Sequence, residues 1–183
     1  MSSHGALVKA DLQRRPGYKV TVLDNGAVWV NLPAGWIMDL KPNTVMLRDG
    51  PEKVESADLG LMVVHLTAEG FMHVPVENFL FKALEALDEV SPVTSPVHTI
   101  RRADAKIVWV HQDYMCPKHH REACHRTAMV RGIWVQCLVT LSYWRARAPV
   151  VEPVWDEVLR SFTLGVPEGE EIPPDDVPSP FIQ

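Results

Sequence analysis

The chain lacks most of what would mark a specialised protein. It has three cysteines in 183 residues, an odd number and too few for the disulfide framework of a small secreted domain. No window approaches the ~20 apolar residues of a membrane span. The opening stretch, Met1 to Lys9, holds no apolar run of the length a signal peptide requires. The formal charge is -5, and clustered basic residues occur as the pairs Arg14-Arg15 and Arg101-Arg102; no basic stripe is available for nucleic-acid phosphates. A glycine-rich phosphate loop, a Gly-x-Ser-x-Gly elbow and a Cys-x-x-Cys-His haem site are all missing. The carboxylates of Asp39, Asp49, Glu52, Asp58, Asp104 and Asp113 are scattered, without the pairing that general acid–base work needs. There is no internal repeat. These absences predict a cytoplasmic protein with reduced thiols, not an enzyme, and with neither nucleic acid nor a membrane as partner.

What is present is an ordinary globular composition, 46% hydrophobic and 22% charged, sufficient for one good core at this length. Tyr18–Leu23 and Ala27–Leu32 are β-rich runs around Asp24-Asn25-Gly26, the clearest hairpin signal. Pro33-Ala34-Gly35-Trp36 breaks the second run. Residues 44–48 suit a short strand, and Leu59 to Ala68 is apolar on both faces, as in the middle of a sheet. Val76, Phe79, Leu80, Ala83, Leu84 and Leu87 recur at helical spacing, which predicts a helix over 75–89 with Pro75 at its start. Lys106–Tyr114 reads as a strand, and Met129–Trp144 as one long strand with Ile133, Val135, Cys137, Val139, Leu141 and Tyr143 on one face. The closing helix, 152–162, follows a stripe that puts Val151, Val154, Trp155, Val158, Leu159 and Phe162 on one side, with Pro153 in its first turn and Gly165 as a stop. The division is an N-terminal segment 1–17, one α+β domain over 18–164, and a Pro-rich acidic tail 165–183 that can bury little and reads as extended or disordered.

Strands, a helix, a long antiparallel run and a helix together describe an antiparallel sheet with helices packed on it. With the turn Leu32-Pro33-Ala34-Gly35-Trp36 after the first strand pair and the closing Trp155-Asp156-Glu157-Val158-Leu159-Arg160-Ser161-Phe162 helix, the chain resembles the PsbP-like superfamily over roughly residues 18–164. That superfamily includes the Ran-binding nuclear import factor and the bacterial DcrB-like proteins. The resemblance implies an α/β sandwich and a non-enzymatic role as a docking module, chaperone or accessory subunit. The chain departs from the pattern in its Cys/His segment and its acidic tail.

That segment, Cys116-Pro117-Lys118-His119-His120-Arg121-Glu122-Ala123-Cys124-His125, is read as the loop between the two long strands. Zinc takes four N or S ligands in a tetrahedron, and Cys116, His119, His120, Cys124 and His125 offer two thiols and three imidazoles, with His111 a few residues upstream. Against zinc, one short loop replaces the two separated knuckles of the common modules. The competing reading is a polar hairpin connection with its Cys side chains tucked into the sheet. A Cys nucleophile beside imidazoles is a third use of the same residues. Of the six tryptophans, Trp155 belongs to the helix stripe, and Trp134 and Trp144 lie on the less apolar strand face as candidates for partner contact. The expectation is a protein-binding module with no cofactor, with another protein as partner: an adaptor, an accessory factor or an immunity-type inhibitor. The alternative is a structural or regulatory zinc protein built on 116–125.

Overall fold

The computed structural model describes residues 15–41, 44–51, 55–66, 74–85 and 93–165. Strands β1 (Tyr18–Leu23) and β2 (Val28–Pro33) pair antiparallel from Tyr18 opposite Pro33 to Leu23 opposite Val28. The turn between them holds Asp24, Asn25 and Gly26 at φ of 51°, 52° and 95°. Asp, Asn and Gly are the residues that bear left-handed backbone at least cost, so the chain reverses where those three stand together.

A larger antiparallel sheet contains β3 (Ile37–Lys41), β4 (Thr44–Arg48), β5 (Asp58–His65), β6 (Val93–Thr94), β7 (His98–Arg101), β8 (Lys106–Cys116), β9 (Arg121–Arg131) and β10 (Val135–Trp144). Its order is β3-β4-β5-β10-β9-β8-β6, with β7 on the other half of β8. Period two decides what each face carries. Val135, Cys137, Val139, Leu141 and Tyr143 of β10 are buried inward, beside Leu59 and Leu61 of β5 and Val45 and Leu47 of β4. On the outer face Val108, Val110 and Met129 pack against Val76 and Leu80 of helix α1 (Val76–Glu85).

Helix α2 (Ala148–Ser161) lies against the inner face and β2, with Val151, Val154, Trp155 and Val158 buried. The three layers are therefore α1, the large sheet, and α2 with the β1–β2 hairpin. The last strand, β11 (Thr163–Leu164), adds to the free edge of β2. One residue on the buried side of α2 is charged. Glu157 is fully buried and accepts hydrogen bonds from Asn31 Nδ2 at 2.8 Å, Arg15 at 2.6 Å and Arg160 at 2.7 and 3.0 Å. A buried carboxylate is tolerable only with this number of partners.

The architecture agrees with the α+β sandwich expected from the sequence, but several boundaries move. The Cys/His segment is mostly strand: only Pro117–His120 is a turn, and β9 starts at Arg121. Continuous pairing of β9 with both β8 and β10 explains this, because two neighbours satisfy the backbone of a polar-looking strand. The single strand read over 129–144 is two, separated by Gly132-Ile133-Trp134, where Gly132 N–H donates to Val135 O at 2.9 Å. Helix α2 starts four residues before 152, so Pro153 sits in its second turn and Pro149 in its first. Helix α1 ends at Glu85 in the structure, and residues 86–89 of the expected helix lie outside the described residues, as do residues 1–14 and 166–183. Strands β3, β6, β7 and β11 were not apparent from periodicity.

Candidate functional site

The densest polar constellation stands on the inner face, where β8, β9 and β10 meet the start of α2. Alternation along β8 sends Trp109, His111 and Asp113 to one side. The register sets His111 opposite Arg126, Asp113 opposite Cys124, and Cys124 opposite Tyr143. Asp113 Oδ1 is the hub: it lies 2.7 Å from His111 Nε2, accepts from Cys124 Sγ at 3.1 Å and from Arg145 Nη1 at 2.6 Å. Arg126 Nε donates to His111 Nδ1 at 3.3 Å and its Nη2 lies 2.8 Å from Glu152 Oε1, which also accepts from Tyr143 OH at 2.9 Å. Because Nδ1 of His111 is an acceptor, its proton resides on Nε2 and is given to Asp113.

Two carboxylates and two guanidiniums balance the charge of this corner. Burial pulls the Asp113 carboxyl upward, but hydrogen bonds from His111 and Cys124 and the charge of Arg145 outweigh it, and its pKa falls below the ordinary value. Burial pushes the Cys124 thiol up, and the Asp113 carboxylate adds to that, against the opposing pull of Arg145. The thiol is therefore protonated at neutral pH, unlike an activated nucleophile.

The residues expected to bind metal as a loop are dispersed. Successive positions on β9 face opposite ways, so Cys124 joins the inner hub while His125 lies on the outer face, its Nδ1 2.7 Å from Ser142 Oγ. Burial lowers the His125 pKa to about 4, and the ring is neutral. Cys116 ends β8 half-buried, His119 meets the edge of Trp144 at 5.5 Å, and His120 is exposed at a φ of 48°. Of that set only Cys124 belongs to a compact group of ligand-type side chains among the described residues, and its companions are His111 and Asp113, their ligand atoms all within 4.8 Å of one another. Reflecting positions about the Pro117–His120 turn would have revealed them, since a hairpin closed there pairs 113 with 124 and 111 with 126.

The two candidate contact tryptophans do not form one surface. Trp134 lies in the β9–β10 turn, half-buried against the core. Trp144 lies at the far end of β10, roughly 30 Å of strand away, with the Arg121 guanidinium 4.6 Å above its ring. The outer face carries a different apolar surface. Met62 opposes Leu138 of β10 and Thr44 of β4, and Gly60 opposes Met46. Met62 and Val64 are 42% and 43% exposed beside the half-buried Met46 and Leu138. On the inner side a cleft of about 340 Å³ opens between the β7 edge and α2 over Ile100, Trp109, Trp155 and Leu159, with His98 stacked on Trp109 at 4.1 Å.

This three-layer arrangement is the PsbP/Mog1-like α+β fold. LpqN, involved in cell envelope biogenesis of Mycobacterium tuberculosis, superposes with a TM-score of 0.59 at 8% identity, covering 91% of this chain and 98% of that one. Cyanobacterial PsbP (CyanoP) from Synechocystis gives 0.57 at 15% identity over 83% and 95% of the two chains. The Ran-binding protein Mog1p of Saccharomyces cerevisiae gives 0.55 at 11% over 80% and 95%. Within that fold the chain belongs to the Alr1449 family, which it matches over residues 19–167. It is 30% identical over 151 residues to the uncharacterized protein alr1449 of Nostoc, covering 82% of this chain and 79% of that protein. No helix among the described residues is long and apolar enough to cross a membrane.

Proposed function

We propose that this protein is a non-catalytic docking module that binds another protein through the outer face of its large sheet. The observation that carries the reading is the apolar surface of Met62, Val64, Met46 and Leu138 beside α1. Methionine surfaces adapt to irregular apolar partners, and exposed apolar surface rimmed by charge is characteristic of interaction sites. Helix α1 covers β8 and β9, while β10, β5 and β4 present a strip roughly 10 Å wide, the diameter of one helix. The partner element we infer is an amphipathic helix laid beside α1. The inner-face corner favours the same reading: its carboxylates are held by arginines and its thiol is protonated, so no base–nucleophile pair is poised there. One protein of this fold is described as Ran-binding, which makes protein recognition a natural use of the scaffold without naming the partner. Three free cysteines suit a reducing compartment, and we place the protein in the cytoplasm.

The test begins with a partner captured from the native host by cross-linking and then purified. Binding of that partner is compared between the wild type and a Met62→Lys, Val64→Glu variant whose circular dichroism and melting temperature are unchanged. The reading expects affinity to fall by at least about tenfold, as for a hot spot at an interface centre. Equal affinity in a folded variant refutes the surface.

A further inference from the structure

We infer that His111, Asp113 and Cys124 form a zinc-type transition-metal site on the inner face of the large sheet, at the corner under the start of α2. This site differs from one in the 116–125 loop: two of its three ligands, His111 and Asp113, lie on β8 outside that segment, and only the strand register brings them to Cys124 on β9.

The donor set is an imidazole nitrogen, a carboxylate oxygen and a thiol sulfur, the three ligand types zinc combines. In a tetrahedral site with bonds of ~2.0–2.3 Å, ligand atoms stand roughly 3.3–3.8 Å apart. Here Nε2 and Sγ lie 2.7 and 3.1 Å from the same Asp113 oxygen, and all three ligand atoms are within 4.8 Å of one another. Small side-chain rotations open these distances to the required span without moving backbone. The backbone itself is fixed, since both strands are paired along their length and the Asp113–Cys124 pair is directly cross-strand. Asp113 already serves as the common acceptor of two protons, on His111 Nε2 and Cys124 Sγ, and an ion takes the place of both. As the S–Zn bond forms, the Cys124 proton leaves to solvent. The His111 proton moves from Nε2 to Nδ1, which frees the Nε2 lone pair for the metal. One proton is released for each ion bound, and water fills the open position.

The arginines set the affinity. Arg145 competes with the ion for Asp113, but its side chain is half-exposed at the end of β10 and is free to swing outward. It also reaches Cys124 Sγ at 3.7 Å, a second contact with the ligand set that the ion displaces. Arg126 must release His111 Nδ1, and it keeps Glu152 and the face of Trp109 at 5.6 Å as alternative partners.

The experiment is a calorimetric titration of the full reduced chain with Zn²⁺, paralleled by Co²⁺ to read the thiolate-to-metal charge-transfer band in the near ultraviolet. One ion per chain is expected, with release of about one proton and the cobalt band present. Cys124→Ser should abolish the band. His111→Gln and Asp113→Asn should each weaken zinc by at least about 100-fold, more than the loss of an outer-shell partner. Arg145→Gln, which removes the half-exposed guanidinium that competes with the ion for Asp113, should bind zinc more tightly than the wild type. A combined Cys116→Ser, His119→Ala, His120→Ala variant should bind as the wild type does. No binding at 100-fold excess metal over about 1 μM protein overturns the site. So does a cobalt band that survives Cys124→Ser and vanishes with Cys116, or an affinity unchanged by Asp113→Asn and Arg145→Gln.

Discussion

Glu157 offers the sharpest test of the packing between α2 and the β1–β2 hairpin. Burial by itself would raise its carboxyl pKa, but hydrogen bonds from Arg160, Asn31 and Arg15 outweigh that and hold it at about 2, against an ordinary 4.5. At ~1.4 kcal/mol for each tenfold change in proton affinity, that difference is worth ~3 kcal/mol. The folded pKa is depressed, so the contribution is complete above pH 4.5 and is lost as pH falls toward about 2. Glu157→Gln keeps the side-chain volume but turns an acceptor oxygen into a donor facing the donors of Asn31, Arg15 and Arg160. Urea unfolding at pH 7 should show the variant ~3 kcal/mol less stable, a loss of about 6–12 °C in Tm for a domain of this size. Repeated at intervals down to pH 2, the gap between the two proteins should narrow steadily below pH 4.5. Equal stability at pH 7, or a gap that stays constant down to pH 2.5, would refute the claim that an ionised, fully buried Glu157 holds α2 in place.

Two further substitutions probe the same core from its centre and its end. Trp155→Ala removes a side chain that is fully buried and should cost ~3–5 kcal/mol in urea unfolding; an unchanged midpoint would contradict its place in the core. Gly165→Ala should cost ~1–3 kcal/mol, because its Cβ would stand 2.2 Å from the Gly26 carbonyl oxygen and backbone must yield on one side. A neutral result there would mean that β11 and the β1–β2 turn are not in contact.

What the sequence made legible was set by how strongly each segment repeats. Both helices and the β10 face follow from single apolar stripes, because the core takes whichever side carries Val154, Trp155 and Val158, or Val139 and Leu141. The edge strands are different. Ile37–Lys41 is almost wholly exposed, and Thr163–Leu164 is two residues long; these become strands because a neighbour offers unpaired backbone, a tertiary fact that no local pattern states. β9 was hidden for a third reason. Its residues Cys124, His125, Arg126 and Thr127 are polar or half-polar yet buried, so hydropathy alternation is absent although the backbone alternates.

The same disguise explains why the candidate site was only partly legible. Grouping Cys116, His119, His120, Cys124 and His125 by nearness in sequence treats them as one flexible loop, in which any two side chains can converge. In a strand that assumption fails: Cys124 and His125 are neighbours in sequence and yet lie on opposite faces, one against Asp113 and the other against Ser142. Nearness in space follows the hairpin instead. Once Pro117–His120 is the turn, each residue before it meets its mirror image after it, and Asp113, unremarkable in sequence, and His111, noted there only as an imidazole upstream of the segment, become the partners of Cys124 and Arg126. The chemistry of this corner therefore depends on register. A one-residue slip of β9 against β8 would turn Cys124 away from Asp113 and replace it with His125 or Ala123. Tyr143 and Glu152 guard against that slip from the third strand and the helix, because Arg126 reaches Glu152 only when it stands opposite His111.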